Sequence, residues 1–254
     1  MGTSTSSRGP GSASPLVPPW ADTDGKGPGP APAPGRFRSF RTSLGKFVSN
    51  GDARELERAL GHYARTATGG RTVAPRRFGS MARAGGALFG TLAALRDGRD
   101  ALAEAGVDLS ALNGQDTDLA IQAIVQALTP SDGDADRIRV AMTEALSECL
   151  EGLDDFDFAR ITDDMLVAVM LAYVRGCVFD QIVLDSRDAF AKASAAGRAE
   201  QAEQDLRELV AAATDKHMRP LLSGNIRVLN GRQVEAAQIR AIGEVWAEWE
   251  TYEP

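Results

Sequence analysis

Apolar side chains in this chain recur at helical spacing, and Gly, Pro and Asn mark the breaks between runs. Ser49-Asn-Gly-Asp52 opens the first clear run, with Asp52 and Glu55 three apart as a capping pair. Leu56, Leu60 and Tyr63 then share one face, and Gly69-Gly70 ends the helix. Pro75 fits the first turn of the next helix, which should reach about Leu95. Gly79, Ala82, Gly86, Gly90 and Ala93 fall on one stripe of it. Glycine costs helix stability, so the stripe predicts close approach of another helix, as tight core packing rather than a lipid-facing dimer seam. Further helices are expected over 116–128, 134–152, 162–195, 198–217 and 233–250.

Within these, Ile138, Met142, Ala145, Cys149 and Leu153 mark a buried side. Met165 to Val174 is apolar on nearly every side but is cut by Arg175, too short to span a bilayer; it predicts a central core helix. Pro220 should stop or kink the 198–217 helix, and Ile226 to Leu229 reads as a brief extended segment. Ile239, Ile242, Trp246 and Trp249 share a side of the last helix. The pattern predicts an all-α domain of about six to eight helices over 49–254, with no internal repeat.

Ahead of it stand two segments of different composition. Residues 1–35 hold most of the Pro, with Gly, Ser and Thr and few large apolar side chains. Such a stretch buries too little surface to offset the entropy of ordering, so it is expected to be a disordered tail, with Pro28 to Pro34 an extended spacer. Leu16, Val17 and Trp20 interrupt that pattern and are expected to form a short docking element. Residues 36–48 form a basic Arg/Phe segment.

Length and composition agree with a helical reading. The 254 residues are 43% hydrophobic, enough for a real core, and only 6% aromatic, which disfavours strands. The 24 Arg against 4 Lys suggest a genome rich in G and C, and so a bacterial source. Net charge is −7, yet residues 1–100 hold 15 basic and 7 acidic side chains and the remainder 13 and 28. The basic patch is Arg36, Arg38 and Arg41, interleaved with Phe37 and Phe40, together with Arg76, Arg77 and Arg83. Three readings stay open: phosphate contact with base stacking, docking into an acidic protein groove, or packing against the chain's own acidic half.

Catalytic chemistry finds little support. Asp132-Gly-Asp-Ala-Asp136 begins like a calcium loop but has Arg137 and Thr143 where Gly and Glu are required, so it reads as an acidic helix start. Asp154, Asp155, Asp157, Asp163 and Asp164 read as a solvated loop and first turn. His62 and His217 belong to no metal-ligand spacing, and no nucleophile motif or phosphate loop is present. A non-enzymatic protein without metal or cofactor is expected. Cys149 and Cys177 lack CxxC spacing, and the N-terminus lacks an apolar signal region, so a reducing cytoplasm is the expected location.

Gly2 is the remaining candidate. Loss of Met1 would leave a free α-amine of pKa about 7.7–8.0, partly uncharged and nucleophilic at neutral pH. Met1 to Ser6 also matches the short myristoylation pattern, against which the bacterial composition weighs.

Met1-Gly-Thr-Ser-Thr-Ser-Ser7, Pro15-Leu-Val-Pro-Pro-Trp20, Gly35-Arg-Phe-Arg38, Arg41-Thr-Ser-Leu-Gly-Lys-Phe47, Leu60-Gly-His-Tyr63, Arg76-Arg-Phe-Gly79 and Gly86-Ala-Leu-Phe89 together resemble the QatB family. The likeness is most specific over the first 95 residues, and Val245 to Tyr252 adds to it. Members are small subunits of Qat bacterial anti-phage systems, which combine an ATPase, a QueC-like enzyme and a TatD-like nuclease. The resemblance implies a role in phage defence with those partners. It further implies that the QueC-like enzyme attaches a deazaguanine to the N-terminus, with Gly2 as acceptor and Thr3 and Ser4 as its recognition residues.

Overall fold

The computed structural model describes residues 11–99, 108–224 and 226–253. Among them are eight α-helices: α1 (Arg38–Asn50), α2 (Ala53–His62), α3 (Gly79–Arg96), α4 (Thr117–Leu128), α5 (Ala135–Cys149), α6 (Asp163–Ser186), α7 (Arg198–Leu222) and α8 (Gly231–Glu250). A two-residue antiparallel pair, β1 (Gln115–Asp116) and β2 (Asp155–Phe156), sets Gln115 opposite Phe156. The protein is all-α, as the apolar spacing predicts. The helices resolve into two compact units: unit 1 takes the described residues of 1–77, 178–213 and 242–254, and unit 2 those of 78–177 and 214–241.

In unit 1, the basic segment is itself helical. Phe40, Leu44, Phe47 and Val48 recur at the spacing of one helix face and are buried, which is why α1 forms across residues read from their charge as a separate segment. Its last carbonyls are satisfied from three directions. Gly51, at φ 77, turns its N–H onto Phe47 O at 2.7 Å; Arg198 donates to the same oxygen at 3.1 Å, and Ser194 Oγ to Ser49 O at 2.7 Å. Asp52 caps α2 through Arg54 N at 3.0 Å. Glu55 does not complete the capping box; its carboxylate pairs with Arg58 at 2.8 Å instead.

α2 continues into a widened π turn, Tyr63–Ala67. Thr68 closes it, donating to Tyr63 O through both N (3.2 Å) and Oγ1 (2.9 Å). The same Oγ1 accepts from Trp246 Nε1 at 2.7 Å. Tyr63 carries no exposed surface; its ring lies 4.8 Å from Phe40 and 5.9 Å from Trp246, and its hydroxyl donates to Asp185 Oδ2 at 2.7 Å. Arg65, in the π turn, donates to Glu250 O and Tyr252 O, both at 2.6 Å, and so caps the end of α8.

In unit 2, α3 bears out the expected close approach at one member of the glycine stripe, Gly86, and at Gly85 beside it. A Cβ on Gly86 would stand 2.5 Å from Gly231 O, and one on Gly85 2.6 Å from the Tyr173 ring. Tyr173 donates to Met81 O at 2.8 Å and Gln238 to Ala82 O at 3.1 Å, so α6 and α8 touch the α3 backbone itself. α6 is long and apolar enough to cross a membrane by length and composition alone, and it is mostly buried within the fold. Leu166, Val169, Met170 and Val174 occupy the core expected of that run.

Several boundaries differ from the sequence expectation. The 162–195 helix ends at Ser186, because Arg187 takes φ 55, a left-handed turn that α-helix cannot continue through. Pro220 does not stop α7; it sits in the last turn, which runs on to Leu222. Ile226–Val228 is a 3-10 turn rather than an extended segment. Residues 11–35 carry no helix or strand, as expected, but they are not loose: Leu16, Val17 and Ala21 are buried against unit 1.

Cys177 is buried and Cys149 half-buried, both as free thiols. Burial, with the nearby Glu148 carboxylate, pushes the Cys149 thiol up to about 11.

Tyr63→Phe removes the donor to Asp185 and should lower stability by about 1–3 kcal/mol in urea unfolding, with little change in the helical spectrum. Gly86→Ala should cost about 1–3 kcal/mol despite the better helix propensity of alanine, because the methyl meets a backbone carbonyl rather than the end of a flexible side chain. The native state holds the Cys149 proton more tightly than the unfolded chain, so this thiol subtracts stability as pH rises from about 8.5 towards 11. Alkylation of Cys149 at pH 8 should be slow in the native protein and fast in urea; rapid native labelling would contradict the burial.

Candidate functional site

Residues 11–35 form a strap laid on unit 1 and fastened by backbone turns and two arginines. Gly11 to Ser14 is a turn closed by Ser14 N on Gly11 O at 3.1 Å, and a second turn brings Ala21 N to Pro18 O at 3.0 Å. Val17 N donates to Pro28 O at 3.3 Å, folding the strap back on itself. Asp22 accepts from the backbone N–H groups of Lys26 and Gly27.

The clasps come from the helical body. Arg36 Nη2 donates to Ser14 O at 3.0 Å. Arg76 Nη2 donates to Asp22 Oδ1 at 2.9 Å and to Gly27 O. The Arg76 guanidinium holds the Asp22 carboxyl below the usual carboxylate range, so the clasp stays charged at neutral pH and is lost only as pH falls through that depressed value. Apolar contact completes the seat. A Cβ on Gly69, already at φ 85, would stand 2.8 Å from Leu16 Cδ1, and one on Gly29 3.4 Å from Val73. The tail is thus ordered by few apolar residues, because arginines elsewhere in the chain take up its carbonyls and its one fastened acid.

Leu16 (7% exposed) and Val17 (0%) are buried within their own chain. Trp20, beside them, is 43% exposed. Gly2, Thr3 and Ser4 lie outside the described residues.

The six arginines of the expected basic patch divide by role. Arg36 is 5% exposed, and Arg36 and Arg41 flank the Phe37 ring at 4.6 and 4.5 Å. Arg41 Nε also donates to Asp185 O at 2.8 Å. Burial pushes both guanidinium pKa values down, with Asp185 opposing the shift in each. Arg76 is the clasp; Arg77 is half-buried and has interactions within the chain. Arg38, in unit 1, and Arg83, in unit 2, are exposed. Phe37, Leu44 and Phe47 are all buried. The charge division along the chain largely closes within unit 1, whose described residues carry 15 basic and 16 acidic side chains.

The acidic clusters also find intramolecular partners. Asp132 accepts from Ser80 Oγ and from Asp134 N (2.8 Å), Asp134 pairs with Arg137, and Asp136 with Arg139 at 2.7 Å. Asp163 meets Arg96 and, at 2.9 Å, Arg227. His62 and His217 are both half-buried, and burial, with Arg65 and Arg58 adding to it, pushes the His62 imidazole pKa down. Among the described residues no three His, Cys, Asp or Glu side chains are grouped to hold a metal ion.

Three residues of the strap site carry no sequence signal of their own. Ser14 contributes only a carbonyl, and Asp22 meets Arg76 across 54 positions. Arg187 is exposed in its left-handed turn, with Nη2 4.0 Å from where a Cβ of Gly11 would stand.

The chain matches the family model described as Qat anti-phage system associated protein QatB over residues 69–247, well over half its length. Arg76 to Gly79 and Gly86 to Phe89 fall inside that span, whereas the motifs before residue 69 precede it. No curated protein and no solved structure matches. The chain belongs to the QatB family of Qat anti-phage system proteins.

Proposed function

We propose that this component of a Qat anti-phage system acts without catalysis of its own, as a scaffold and as the substrate of an N-terminal modification. In this reading Met1 is removed, and a QueC-like partner enzyme attaches a deazaguanine to Gly2, with Thr3 and Ser4 recognised beside it. The system's ATPase and TatD-like nuclease are the other partners, and the assembly is cytoplasmic.

The carrying observation is the fate of the arginines. Arg36, Arg41 and Arg76 are engaged with Ser14 O, Asp185 O and Asp22, so most of the basic segment serves the chain's own fold. That weighs against a nucleic-acid-binding or ATPase-docking adaptor built on residues 36–83. It leaves the N-terminal segment, with its accessible-amine chemistry, as the feature with a function still to perform. The strap also limits the reading: ten residues, rather than thirty-five, precede the first fastened turn.

Intact mass spectrometry of the chain co-expressed with the QueC-like enzyme should show loss of Met1 and a deazaguanine adduct at residue 2. Gly2→Trp should abolish both the adduct and phage protection. An unmodified Gly2 in the presence of active enzyme would remove the proposal. Charge reversal at Arg38 and Arg83, by contrast, should leave the adduct unchanged.

A further inference from the structure

Residues 11–35 are mostly exposed, yet they are fastened to the body at defined points. The two ends are tied separately: Ser14 O to Arg36 near the start, and Asp22 with Gly27 O to Arg76 further along. Between these ties Leu16 and Val17 are buried, so the strap cannot slide without exposing both. Each tie engages an arginine that is itself largely buried: Arg36 is 5% exposed and the Arg76 side chain 19%. Removing either carbonyl or carboxylate would leave a guanidinium short of partners in a poorly solvated place. The seat is therefore built from both sides.

We infer that the strap meters the reach of the N-terminus: an enzyme acting on residue 2 must bring its active site within about 30 Å of Gly11, on the surface of unit 1 that carries Gly11 and Arg187. This rests on the modification proposed above and adds where the enzyme has to dock. The distance follows from chain geometry. Nine residues separate Gly2 from Gly11, and an extended chain spans at most about 3.5 Å per residue. Were the strap loose, the first tethered point would be Arg36, and the limit would rise to about 120 Å, which excludes no docking surface. With the strap closed, the enzyme's active site is confined to within that reach of Gly11. Arg187, exposed in its left-handed turn, stands beside Gly11, with Nη2 4.0 Å from where a Cβ of that glycine would be.

The test combines length with release. Deleting residues 5–9 shortens the limit to about 14 Å and should cut the adduct at residue 2 by tenfold or more, whereas replacing the same five residues by Gly and Ser should leave it intact. Adding Leu16→Ser and Asp22→Ala to the deletion releases the strap and should restore the adduct. Release is read independently on the purified chain, without any enzyme, as trypsin cleavage after Lys26: slow in the wild type and about tenfold faster in the released variant. Circular dichroism of the released variant checks that the helices persist; should they not, Val17→Ser alone is the milder release. Fast cleavage of the wild type after Lys26 overturns the inference, whatever the fate of residue 2. So does a normal adduct on the deleted chain with its strap closed, or no recovery once proteolysis shows the strap free. A wild-type chain that is never modified sinks the parent reading instead, with slow cleavage still supporting the closed strap.

Discussion

A buried hydroxyl–carboxylate bond, Tyr63 to Asp185 at 2.7 Å, organises unit 1. Tyr63 is fully enclosed, and burying a phenol without a partner costs about 1–3 kcal/mol, so the residue dictates where Asp185 must lie. The π turn around Tyr63 exposes its carbonyl to Thr68, and the Thr68 hydroxyl accepts in turn from Trp246. One aromatic residue thus ties α2, the end of α6 and α8 together by hydrogen bonds as well as by ring contacts. Arg41, on α1, reaches the backbone carbonyl of the same Asp185.

This constraint also accounts for where two arginines of the basic segment are engaged. Arg36 and Arg41 flank Phe37, and both lie within the field of Asp185. Their charge offsets acids that the fold has brought inward, and a guanidinium in that position contributes to packing through its stem as much as through its charge. The same use of arginine recurs at two helix ends and at the strap. Arg65 caps α8, Arg198 caps α1, and Arg76 fastens the strap. In an Ala- and Gly-rich chain with few hydroxyl caps, long arginine side chains reach the orphan carbonyls that local sequence leaves unpaired.

Unit 2 reaches order by another route. Its central helix contacts are backbone contacts, made possible by Gly85 and Gly86 and sealed by side-chain donors from Tyr173 and Gln238 onto α3 carbonyls. Small residues bring helices close, and the polar groups admitted by that approach are paired.

Helical periodicity was enough to establish the all-α class, the core position of Met165 to Val174 and the close approach at the glycine stripe, because each depends on spacing within a single helix. The acidic start at 132–136 was legible for the same reason. The strap was not. Composition alone places 11–35 among chains that cannot fold, and it does lack helix and strand; what orders it are Arg36, Arg76 and Gly69, which only the folded body brings alongside. Likewise, sequence gave the arginines' number and sign, but whether a guanidinium faces solvent or a carbonyl is decided by partners over a hundred residues away, as Arg41 and Asp185 show. Periodicity is a local property and survives in the sequence; the pairing of buried polar groups is a property of the closed fold.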